Sequence, residues 1–492
     1  MSATLSNLAA TVPDRAAASL ASAHLSFADI DRDGRQWAAV LADKGIAHGD
    51  RVAVWADVDL AQITLFAALA HLGAVMVPVN PHESADHARV ALLPLRPAAI
   101  ITDGAHHADG LGVADLVGTR HLTFDDLGAA AHGIEDRARF VPVAVAESDA
   151  QAIFLTSGST GAPKGVVLSH RVQWLRSFQG ALLEPRGTTV CMFPLFHMAG
   201  WLLALGAWQA RAHVAFVPRA DADTLWSAVE EHDAERLYAI PAVWRRLLDA
   251  DPDGSRGATL RVIDTGTSAT PPSLLSELRD RYPGALRRVF YGSTETGPAL
   301  MLGGDEVDDH PGTVGRPQPG VSARIGVDGG LEVSSPFLFD GYADDPDSTA
   351  AAMPDEWFRT GDLAEVDDHG CWSITGRIGN VIRSGGESIE PSEVEAVIAS
   401  HPDLSDAAVV GLADPEWGEI VTAVVVPCDG IDLDLQMLDS WCRDQLAPHK
   451  VPRRFEIARS IPRTDATGQI RRPLIVEMIE AHTEISALGT GP

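Results

Sequence analysis

The feature that most constrains the fold of this 492-residue chain is its alternation of helix-like and strand-like segments. Apolar residues recur at helical spacing over residues 59–72, Gly73 ends the pattern, and the β-rich run AVMVPVN follows. The same order recurs over residues 226–250, which are followed by the run LRVIDTG. Regular alternation of this kind predicts an α/β fold with largely parallel strands.

The pattern changes near Gly379, which marks a candidate domain boundary. A glycine-rich turn, a helix over residues 391–400, the strands AAVVGL and IVTAVVVP, and a further helix follow. We therefore predict a large, multi-subdomain N-terminal α/β domain, residues 1–378, and a small, mobile C-terminal α+β domain, residues 379–492. More than one domain also agrees with the length of the chain.

Charge and cysteine spacing argue against several classes of protein. The formal net charge of −30 disfavours nucleic-acid binding, because phosphate recognition requires a basic surface. The four cysteines lie far apart without a C-x-x-C pair, which is typical of reduced thiols in a cytosolic enzyme. No basic start with an apolar stretch behind it occurs at the N-terminus, so we expect no secretory signal and a cytoplasmic location.

One apolar segment, residues 191–208, has about the length of a membrane span. Pro194, Gly200 and Gly206 interrupt it, and no clusters of positive charge lie at its ends. We therefore predict a buried loop and helix here, and no membrane span.

The strongest local motif is TSGSTGAPKG, residues 156–165, which directly follows the apolar run AIFL. Backbone N–H groups and hydroxyls of such a loop can surround phosphate oxygens, while its lysine adds a positive charge. It is not a Walker loop, because G-x-x-x-x-G-K-[ST] does not match, and a flexible surface turn is the alternative. The predicted nucleotide-binding residues are Thr156, Ser157, Gly158, Ser159, Thr160, Gly161 and Lys164.

Together with further motifs, this loop resembles the adenylate-forming superfamily, which includes acyl-CoA synthetases, luciferase and the adenylation domains of nonribosomal peptide synthetases. The shared motifs occur in the superfamily's order: LSFADIDRDGRQWAAVLADKGIAHGDRVAVW, the phosphate loop, PLFHMAG, YGSTETG, WFRTGDLAEVDDHGCWSITGR, RSGGESIEPSEVEAVIASHPDL and IPRTDATGQIRR. The resemblance is greatest to acyl-CoA ligases. It implies a ligase that binds a carboxylic acid or its adenylate, with ATP or acyl-AMP, CoA and Mg²⁺.

The resemblance assigns roles within YGSTETG. Tyr291 is expected to stack on adenine, and Gly292 to lie against the nucleotide. Thr294 is expected to bond the α-phosphate, and Glu295 to hold Mg²⁺, because hard cations prefer oxygen ligands. Packing of the tyrosine at a strand end is the structural alternative.

Other predicted contacts lie elsewhere in the chain. By resemblance, Asp362 accepts hydrogen bonds from the ribose hydroxyls and Arg377 contacts ribose or phosphate, with a salt bridge as the alternative for both. His197 corresponds to the residue between the acyl carboxylate and the phosphate loop, with a packed core residue as the alternative. In the segment expected to line adenine, GTSA replaces a more apolar run, and we expect this to reshape the nucleotide or acyl pocket. The residues concerned are Gly266, Thr267 and Ser268.

In this superfamily a carboxylate first attacks the α-phosphate of ATP, and a thiol then displaces AMP from the acyl-AMP. The C-terminal domain rotates between these steps. The hinge position is Gly379 here, which allows rotation but specifies neither state. The residues expected to line the channel for the pantetheine arm of CoA are Ser384, Gly385, Gly386 and Glu387.

The most informative departure from the superfamily is Gln469, which ends PRTDATGQ at the position of a lysine. That lysine bridges the carboxylate and the α-phosphate while negative charge builds up between them. A neutral amide cannot offset this charge, and loss of one preorganised donor typically slows a step by about 10²–10³. Arg471 and Arg472, or the tail, are candidates to replace it. We therefore predict weak or absent adenylation with thioester formation retained.

Three hypotheses follow. The first is a ligase that converts acyl-AMP from a companion adenylating enzyme into acyl-CoA. The second is a complete two-step ATP-dependent ligase with CoA or a carrier protein as the acceptor. The third is a non-catalytic adenylate-binding protein. Residues near His197, Trp201 and Gly266 are compatible with a bulky apolar or aromatic acid, but they do not select one.

Overall fold

The computed structural model describes residues 1–132, 140–156, 163–183, 187–384, 387–415, 417–464 and 468–481. Within these residues the chain divides into two units. The first contains Met1–Ser322 and Val333–Phe358, and the second contains Ala323–Glu332 and the described residues from Arg359 onward. The predicted fold class, a large α/β part with a smaller second domain, is confirmed. The boundary at residue 379 stays a prediction, because it concerns a pivot for rotation.

The described strands are numbered in chain order. They are β1 Ala16–Leu20, β2 Ala23–Ser26, β3 Arg51–Trp55, β4 Val75–Val79, β5 Ala99–Thr102, β6 Arg120–Thr123, β7 Ala150–Thr156, β8 Lys164–Ser169, β9 Thr189–Cys191, β10 Val214–Phe216, β11 Arg236–Tyr238, β12 Val262–Gly266, β13 Leu286–Ser293, β14 Gly297–Gly303, β15 Arg316–Pro317, β16 Ser322–Ile325, β17 Gly330–Ser334, β18 Gly341–Tyr342, β19 Phe358–Val366, β20 Trp372–Arg377, β21 Ile382–Ser384, β22 Glu387–Ile389, β23 Leu404–Asp414, β24 Gly418–Pro427 and β25 Arg454–Ile457.

The described helices are numbered in the same way. They are α1 Ser2–Thr11, α2 Phe27–Asp43, α3 Leu60–Leu72, α4 Ala85–Leu92, α5 His107–Val117, α6 Phe124–Ala131, α7 His170–Leu183, α8 Met198–Gln209, α9 Ala222–Glu231, α10 Pro241–Ala250, α11 Pro272–Arg281, α12 Glu306–Asp309, α13 Pro346–Ala352, α14 Pro391–Ala399, α15 Leu435–Gln445 and α16 Arg472–Glu480.

Two sheets build the first unit. In the described residues the larger has nine strands in the order β15-β14-β13-β12-β11-β9-β10-β1-β2. Its strands from β13 to β1 are parallel, and its edges are antiparallel. The other has the order β18-β8-β7-β4-β3-β5-β6 and is parallel from β7 to β6. Parallel strands therefore make up most of both sheets, as the alternating pattern predicts.

Helix α3 shows how local sequence sets the element bounds. Asp59 accepts a hydrogen bond from the Ala61 N–H at 2.7 Å, while the Gln62 side chain accepts one from the Asp59 N–H at 3.2 Å. This pair satisfies backbone donors that a helix start leaves open. The helix ends at Gly73, whose φ of 73° suits glycine. The predicted helix is therefore confirmed.

Two other predictions meet different outcomes. The apolar segment 191–208 is the end of β9, a loop and most of α8, as predicted, and no described helix is long and apolar enough to cross a membrane. Residues 226–250 differ from the prediction, because they contain the end of α9, the short strand β11 and then α10. Strand β11 has only three residues, which is too few to show as a break in the helical apolar pattern of the sequence. Pro241, at the first position of α10, marks the new helix.

The second unit has a four-stranded sheet, β16-β17-β19-β20, and a five-stranded sheet of β21 to β25 among the described residues. Successive side chains of β23 and β24 point to opposite faces of the sheet and pack in two different cores. Val409 and Val421 pack in a cluster with α14 and α15, whereas Val410 and Val424 pack in a cluster with α16. Burial on both faces explains why these strands read as near-continuous apolar runs.

Candidate active site

The predicted phosphate loop connects two antiparallel strands of the first unit. Thr156 ends β7, Lys164 begins β8, and the two residues are paired across the ladder. The Lys164 Nζ lies 4.7 Å from the centre of the Tyr342 ring, at a distance typical of a cation–π contact. Five predicted residues of this loop, Ser157, Gly158, Ser159, Thr160 and Gly161, lie outside the described residues.

The turn that carries Thr294 and Glu295 is fixed by its flanking hydroxyls. The Ser293 N–H donates to Thr296 Oγ1 at 2.9 Å, and the Thr296 N–H donates to Ser293 Oγ at 3.2 Å. The preceding residue, Gly292, has room only for hydrogen, because a Cβ there would lie 2.2 Å from the Gly297 carbonyl oxygen. This closed turn presents the side chains of residues 294 and 295 in one place.

The Glu295 carboxylate is held on one side only. Tyr342 donates its hydroxyl to Glu295 Oε1 at 3.2 Å, while Oε2 makes no hydrogen bond to a described residue. Tyr342 is also the ring beneath Lys164, so this tyrosine links the phosphate loop to the predicted metal ligand. A partly exposed glutamate with one carboxylate oxygen that has no donor among the described residues fits a hard cation such as Mg²⁺.

A buried guanidinium fastens the backbone of the same turn. Arg176, on α7, donates from Nη1 to the Thr294 carbonyl at 2.9 Å, from Nη2 to the Glu295 carbonyl at 2.7 Å, and from Nε to the Phe337 carbonyl at 2.7 Å. The side chain is 4% exposed. Hydrogen bonds from a charged donor are the strong ones, so Arg176 fixes where Thr294 and Glu295 lie.

The surroundings of Arg176 determine its charge state and leave space for its side chain. Burial lowers the pKa of Arg176 to about 9, while the charges of Glu295 and Asp340 raise it. The guanidinium therefore stays charged at neutral pH. Gly297 makes room for it, since a Cβ at that glycine would lie 2.8 Å from the Arg176 Nε. Arg176 is not among the site residues predicted from the sequence, although it lies on a helical face with the buried residues Val172, Gln173 and Ser177.

His197 lies at the start of α8, as both a capping residue and a packed ring. Its Nδ1 accepts a hydrogen bond from the Ala199 N–H at 3.2 Å, which places the ring proton on Nε2. The ring stacks on Phe193 with centroids 6.1 Å apart. Burial lowers the pKa of His197 to about 4. His197 is therefore a neutral Nε2–H donor at physiological pH.

This pKa predicts how acid affects the stability contributed by His197. The folded-state pKa of about 4 lies below the ordinary value of 6.5, so the unfolded chain takes up the proton first. His197→Asn keeps a capping side chain. The difference in free energy of unfolding between wild type and this variant should have its largest value above pH 6.5. It should shrink by up to about 3 kcal/mol as pH falls to 4. Denaturant unfolding at several pH values measures it, and a constant difference would contradict the prediction.

An aromatic row connects His197 to the predicted adenine segment. Phe193 meets Tyr238 edge to face with centroids 5.1 Å apart, and Tyr238 stacks on Phe290 at 5.9 Å. Phe290 directly precedes Tyr291, at the end of β13. We call His197, Phe193, Tyr238 and Phe290 the aromatic row. It brings the predicted acyl and adenine contacts of the first unit into one region.

The GTSA segment, Gly266, Thr267 and Ser268, meets this row at the end of β12. Gly266 has φ 144°, and a Cβ there would lie 2.1 Å from the Phe290 carbonyl oxygen. Thr267 also has positive φ, at 67°, and Ser268 is exposed. Only glycine fits at position 266, so the first residue of the segment is fixed by backbone packing.

Asp362 and Arg377, both in the second unit, are neighbours. They are paired across β19 and β20, and Arg377 Nε lies 3.3 Å from Asp362 Oδ1. Both the predicted ribose contact and its alternative, a salt bridge, are compatible with this arrangement, because the arginine is more than half exposed. The pair places a cation beside the carboxylate that is predicted to bind ribose.

The predicted hinge and thiol loop also lie in the second unit. Gly379 is exposed, and a Cβ there would meet nothing within 4 Å. Ser384 ends β21, where it is 5% exposed and pairs with Glu387. Gly385 and Gly386 lie outside the described residues. The local structure therefore leaves room for a side chain at residue 379, and the glycine is not required by packing.

Gln469 lies at the base of a loop closed by backbone hydrogen bonds. The Thr464 N–H donates to the Gln469 carbonyl at 2.8 Å, and the Gln469 N–H donates to Thr464 Oγ1 at 3.0 Å. The amide side chain belongs to an exposed residue. Residues 465–467 lie outside the described residues. The loop thus presents an uncharged side chain at the predicted lysine position.

Comparison with known proteins gives the same picture over nearly the whole chain. The AMP-binding enzyme family matches residues 5–342, and the AMP-binding enzyme C-terminal domain matches residues 393–467. A feruloyl-CoA synthase from an Amycolatopsis species is 31% identical over 476 residues, covering 91% of this chain and 94% of that protein. A 4-chlorobenzoate–CoA ligase from an Arthrobacter species is 32% identical over 468 residues, covering 90% and 88%.

A solved structure shares the fold. ATP-bound MatB from Rhodopseudomonas palustris superposes with a TM-score of 0.88 at 26% identity, covering 98% of this chain and 100% of that protein. The two family matches cover separate parts of the chain, and the boundary at residue 379 stays a prediction.

Proposed function

This chain belongs to the AMP-binding enzyme family, and we propose that it is an acyl-CoA ligase that acts chiefly in the second half-reaction. In that step the CoA thiol attacks the carbonyl carbon of acyl-AMP. A C–S bond forms, the C–O bond to AMP breaks, the thiol proton passes to water or to the phosphate of AMP, and AMP departs. The chain would form the adenylate itself slowly or not at all.

Gln469 carries this proposal. Adenylation brings a carboxylate toward the α-phosphate, so two negative groups approach each other. A positive charge at residue 469 would offset that repulsion, whereas an amide only donates a hydrogen bond. Thioester formation starts from an acyl-AMP whose carboxylate charge is already neutralised by the bond to phosphate. The second step therefore depends much less on a cation at this position.

The nearby arginines support the proposal because two of three are already engaged. Arg463 forms a salt bridge with Asp406 at 2.6 Å. Arg472 donates to both oxygens of Glu395, at 2.6 and 2.7 Å, and to the Val409 carbonyl at 3.1 Å. Moving either would break a charge-assisted interaction. Arg471 is exposed, and its side chain makes no polar contact to a described residue, so it is the remaining candidate for a substitute cation.

The first unit supplies groups for holding an adenylate. Thr294 and Glu295 sit on the turn fastened by Arg176, and the neutral His197 offers an N–H donor. We propose that Thr294 bonds the α-phosphate and that Glu295 would hold Mg²⁺, which neutralises phosphate charge. A cation that stabilises phosphate oxygens also makes AMP a better leaving group. Adenylate would come from a companion enzyme, which fits the predicted cytoplasmic location.

A complete two-step ligase is the second candidate, and one observation favours it. Lys164 is retained beside Tyr342, although pyrophosphate, which a phosphate-loop lysine would contact, leaves before the thiol step.

The named relatives include ligases for ferulate and 4-chlorobenzoate, which are aromatic acids. We propose an acid with a ring for this chain too.

Thioester formation from synthetic acyl-AMP and CoA tests the proposed function. Benzoyl-AMP, cinnamoyl-AMP and indole-3-acetyl-AMP would be mixed with the protein and CoA, and acyl-CoA and AMP would be followed by chromatography. We expect equal amounts of acyl-CoA and AMP from at least one adenylate. Tight adenylate binding without acyl-CoA from any of them would favour the non-catalytic alternative.

A further inference from the structure

The phenol of Tyr238 is a polar group of the aromatic row that has no hydrogen-bond partner among the described residues. Its ring is packed on one side by Phe193, edge to face, and on the other by Phe290. Its hydroxyl forms no hydrogen bond to any described residue. The residue is partly exposed, and its hydroxyl oxygen is not among the described buried polar atoms that lack a hydrogen bond. An accessible hydroxyl between apolar rings is available to a ligand.

The surroundings keep this hydroxyl a donor. Burial raises the pKa of Tyr238 well above its usual range, and the charge of Asp264 raises it further. The phenol therefore remains protonated at any pH at which the protein would be assayed. A phenol hydroxyl between apolar rings loses free energy unless an acceptor takes its hydrogen bond.

The position of the hydroxyl connects the two regions predicted to line the acyl pocket. Phe193 contacts Tyr238 edge to face and stacks on His197. His197 is the predicted neighbour of the acyl carboxylate. At the other end, a Cβ at Gly266 would lie 2.9 Å from the Tyr238 hydroxyl oxygen. Glycine at this position thus leaves the phenol end uncovered. Tyr238 is separated from His197 by one ring of the row, that of Phe193.

We propose that Tyr238 determines substrate specificity by donating a hydrogen bond to an oxygen on the ring-bearing part of the acyl group. The inference rests on the proposed function and deepens it, since it names the substrate class as oxygen-substituted cyclic acids. The aromatic row packs the flat part of the acid. Tyr238 then distinguishes an acid that has a hydroxyl, ether or carbonyl oxygen from the same acid without one.

Binding of acyl-sulfamoyl adenosines, stable analogues of acyl-AMP, tests the inference without requiring turnover. Two matched pairs would be titrated calorimetrically: benzoyl and 4-hydroxybenzoyl, and cinnamoyl and 4-hydroxycinnamoyl. In one pair at least, wild type should bind the hydroxylated member about five- to tenfold more tightly. Tyr238→Phe, which removes only the oxygen, should abolish that preference and leave binding of the unsubstituted member unchanged. Tyr282→Phe is the matched control, because it removes a phenol oxygen that donates to Asp251 at 2.8 Å.

Three results would overturn the inference. Equal binding within both pairs by wild type would mean that no oxygen is recognised. A preference that persists in Tyr238→Phe would assign it to another residue or to a water molecule. Equal weakening of both members of a pair would show a packing role only. Failure of the proposed function is recognised separately, because it would appear as binding of the analogues without acyl-CoA formation from the corresponding adenylates.

Discussion

Replacing Gln469 by lysine is expected to raise acid-dependent ATP–pyrophosphate exchange by about 10²–10³. The variant restores a positive charge where the carboxylate and the α-phosphate approach each other. The lysine side chain is about one bond longer than that of glutamine. Because residue 469 is exposed, the longer side chain fits at the loop surface and its charge is not buried. The rate of acyl-CoA formation from acyl-AMP should change little, because that step does not need the added charge. Exchange of labelled pyrophosphate into ATP measures the first step alone.

Two further variants serve as controls for Gln469→Lys. Gln469→Met is neutral and of similar length, so it should show no gain in exchange. Arg471→Ala removes the remaining candidate for a substitute cation. If wild type has residual exchange and Arg471→Ala abolishes it, Arg471 supplies part of the missing charge. Exchange that stays at the wild-type level in Gln469→Lys would contradict our account of residue 469.

Replacing Arg176 by methionine is expected to slow acyl-CoA formation from acyl-AMP by about 100-fold and to lower the free energy of unfolding by about 3 kcal/mol. The change removes three charge-assisted hydrogen bonds and leaves the carbonyls of Thr294, Glu295 and Phe337 without their donor. The turn that carries residues 294 and 295 then loses its fixed position. Stopped-flow thioester formation and denaturant unfolding measure the two effects.

Nucleotide binding separates a positioning role of Arg176 from a general loss of structure. AMP carries the α-phosphate predicted to meet Thr294, whereas adenosine does not. Arg176→Met should weaken AMP binding about tenfold and leave adenosine binding unchanged, and Arg176→Lys should restore part of the AMP affinity. Arg171→Met, on the same helix but 50% exposed, is the matched control and should change neither. Equal weakening of AMP and adenosine would refute the positioning role.

The sequence predicted features whose cause is local. Helix α3 was predictable because its capping residues and its terminal glycine lie within two residues of its ends. The phosphate loop was predictable as a connection after a buried strand, because AIFL is a short apolar run bounded by turn residues. By contrast, β11 escaped prediction, because it has only three residues and takes its hydrogen bonds from β9 and β12.

Features that depend on distant contacts could not be predicted in this way. Arg176 contacts carbonyls that lie 118 to 161 residues further along the chain, and no local pattern encodes them. Tyr342 likewise reaches Glu295 across 47 residues. Tyr238 lies in β11, which the sequence pattern does not predict, so its place between Phe193 and Phe290 was not predictable either. The motifs identified the predicted contacts, whereas the residues that hold them in place required the fold.

The predicted hinge at Gly379 is a feature that the fold neither confirms nor contradicts. Its surroundings are open, and its φ is not among the positive values that favour glycine. The residue is therefore free of a packing reason to be glycine in this conformation. Rotation about residue 379 remains a proposal that a second conformation would test.

The central claim is that this chain uses acyl adenylate much better than it makes it. The most direct measurement compares two single-turnover rates of acyl-CoA formation with one acid: from its synthetic adenylate with CoA, and from the free acid with ATP, Mg²⁺ and CoA. We predict that the adenylate route is at least about 100-fold faster and that adenylate formation, observed as slow appearance of pyrophosphate, limits the other route. Equal rates by the two routes, with rapid release of pyrophosphate, would contradict the claim.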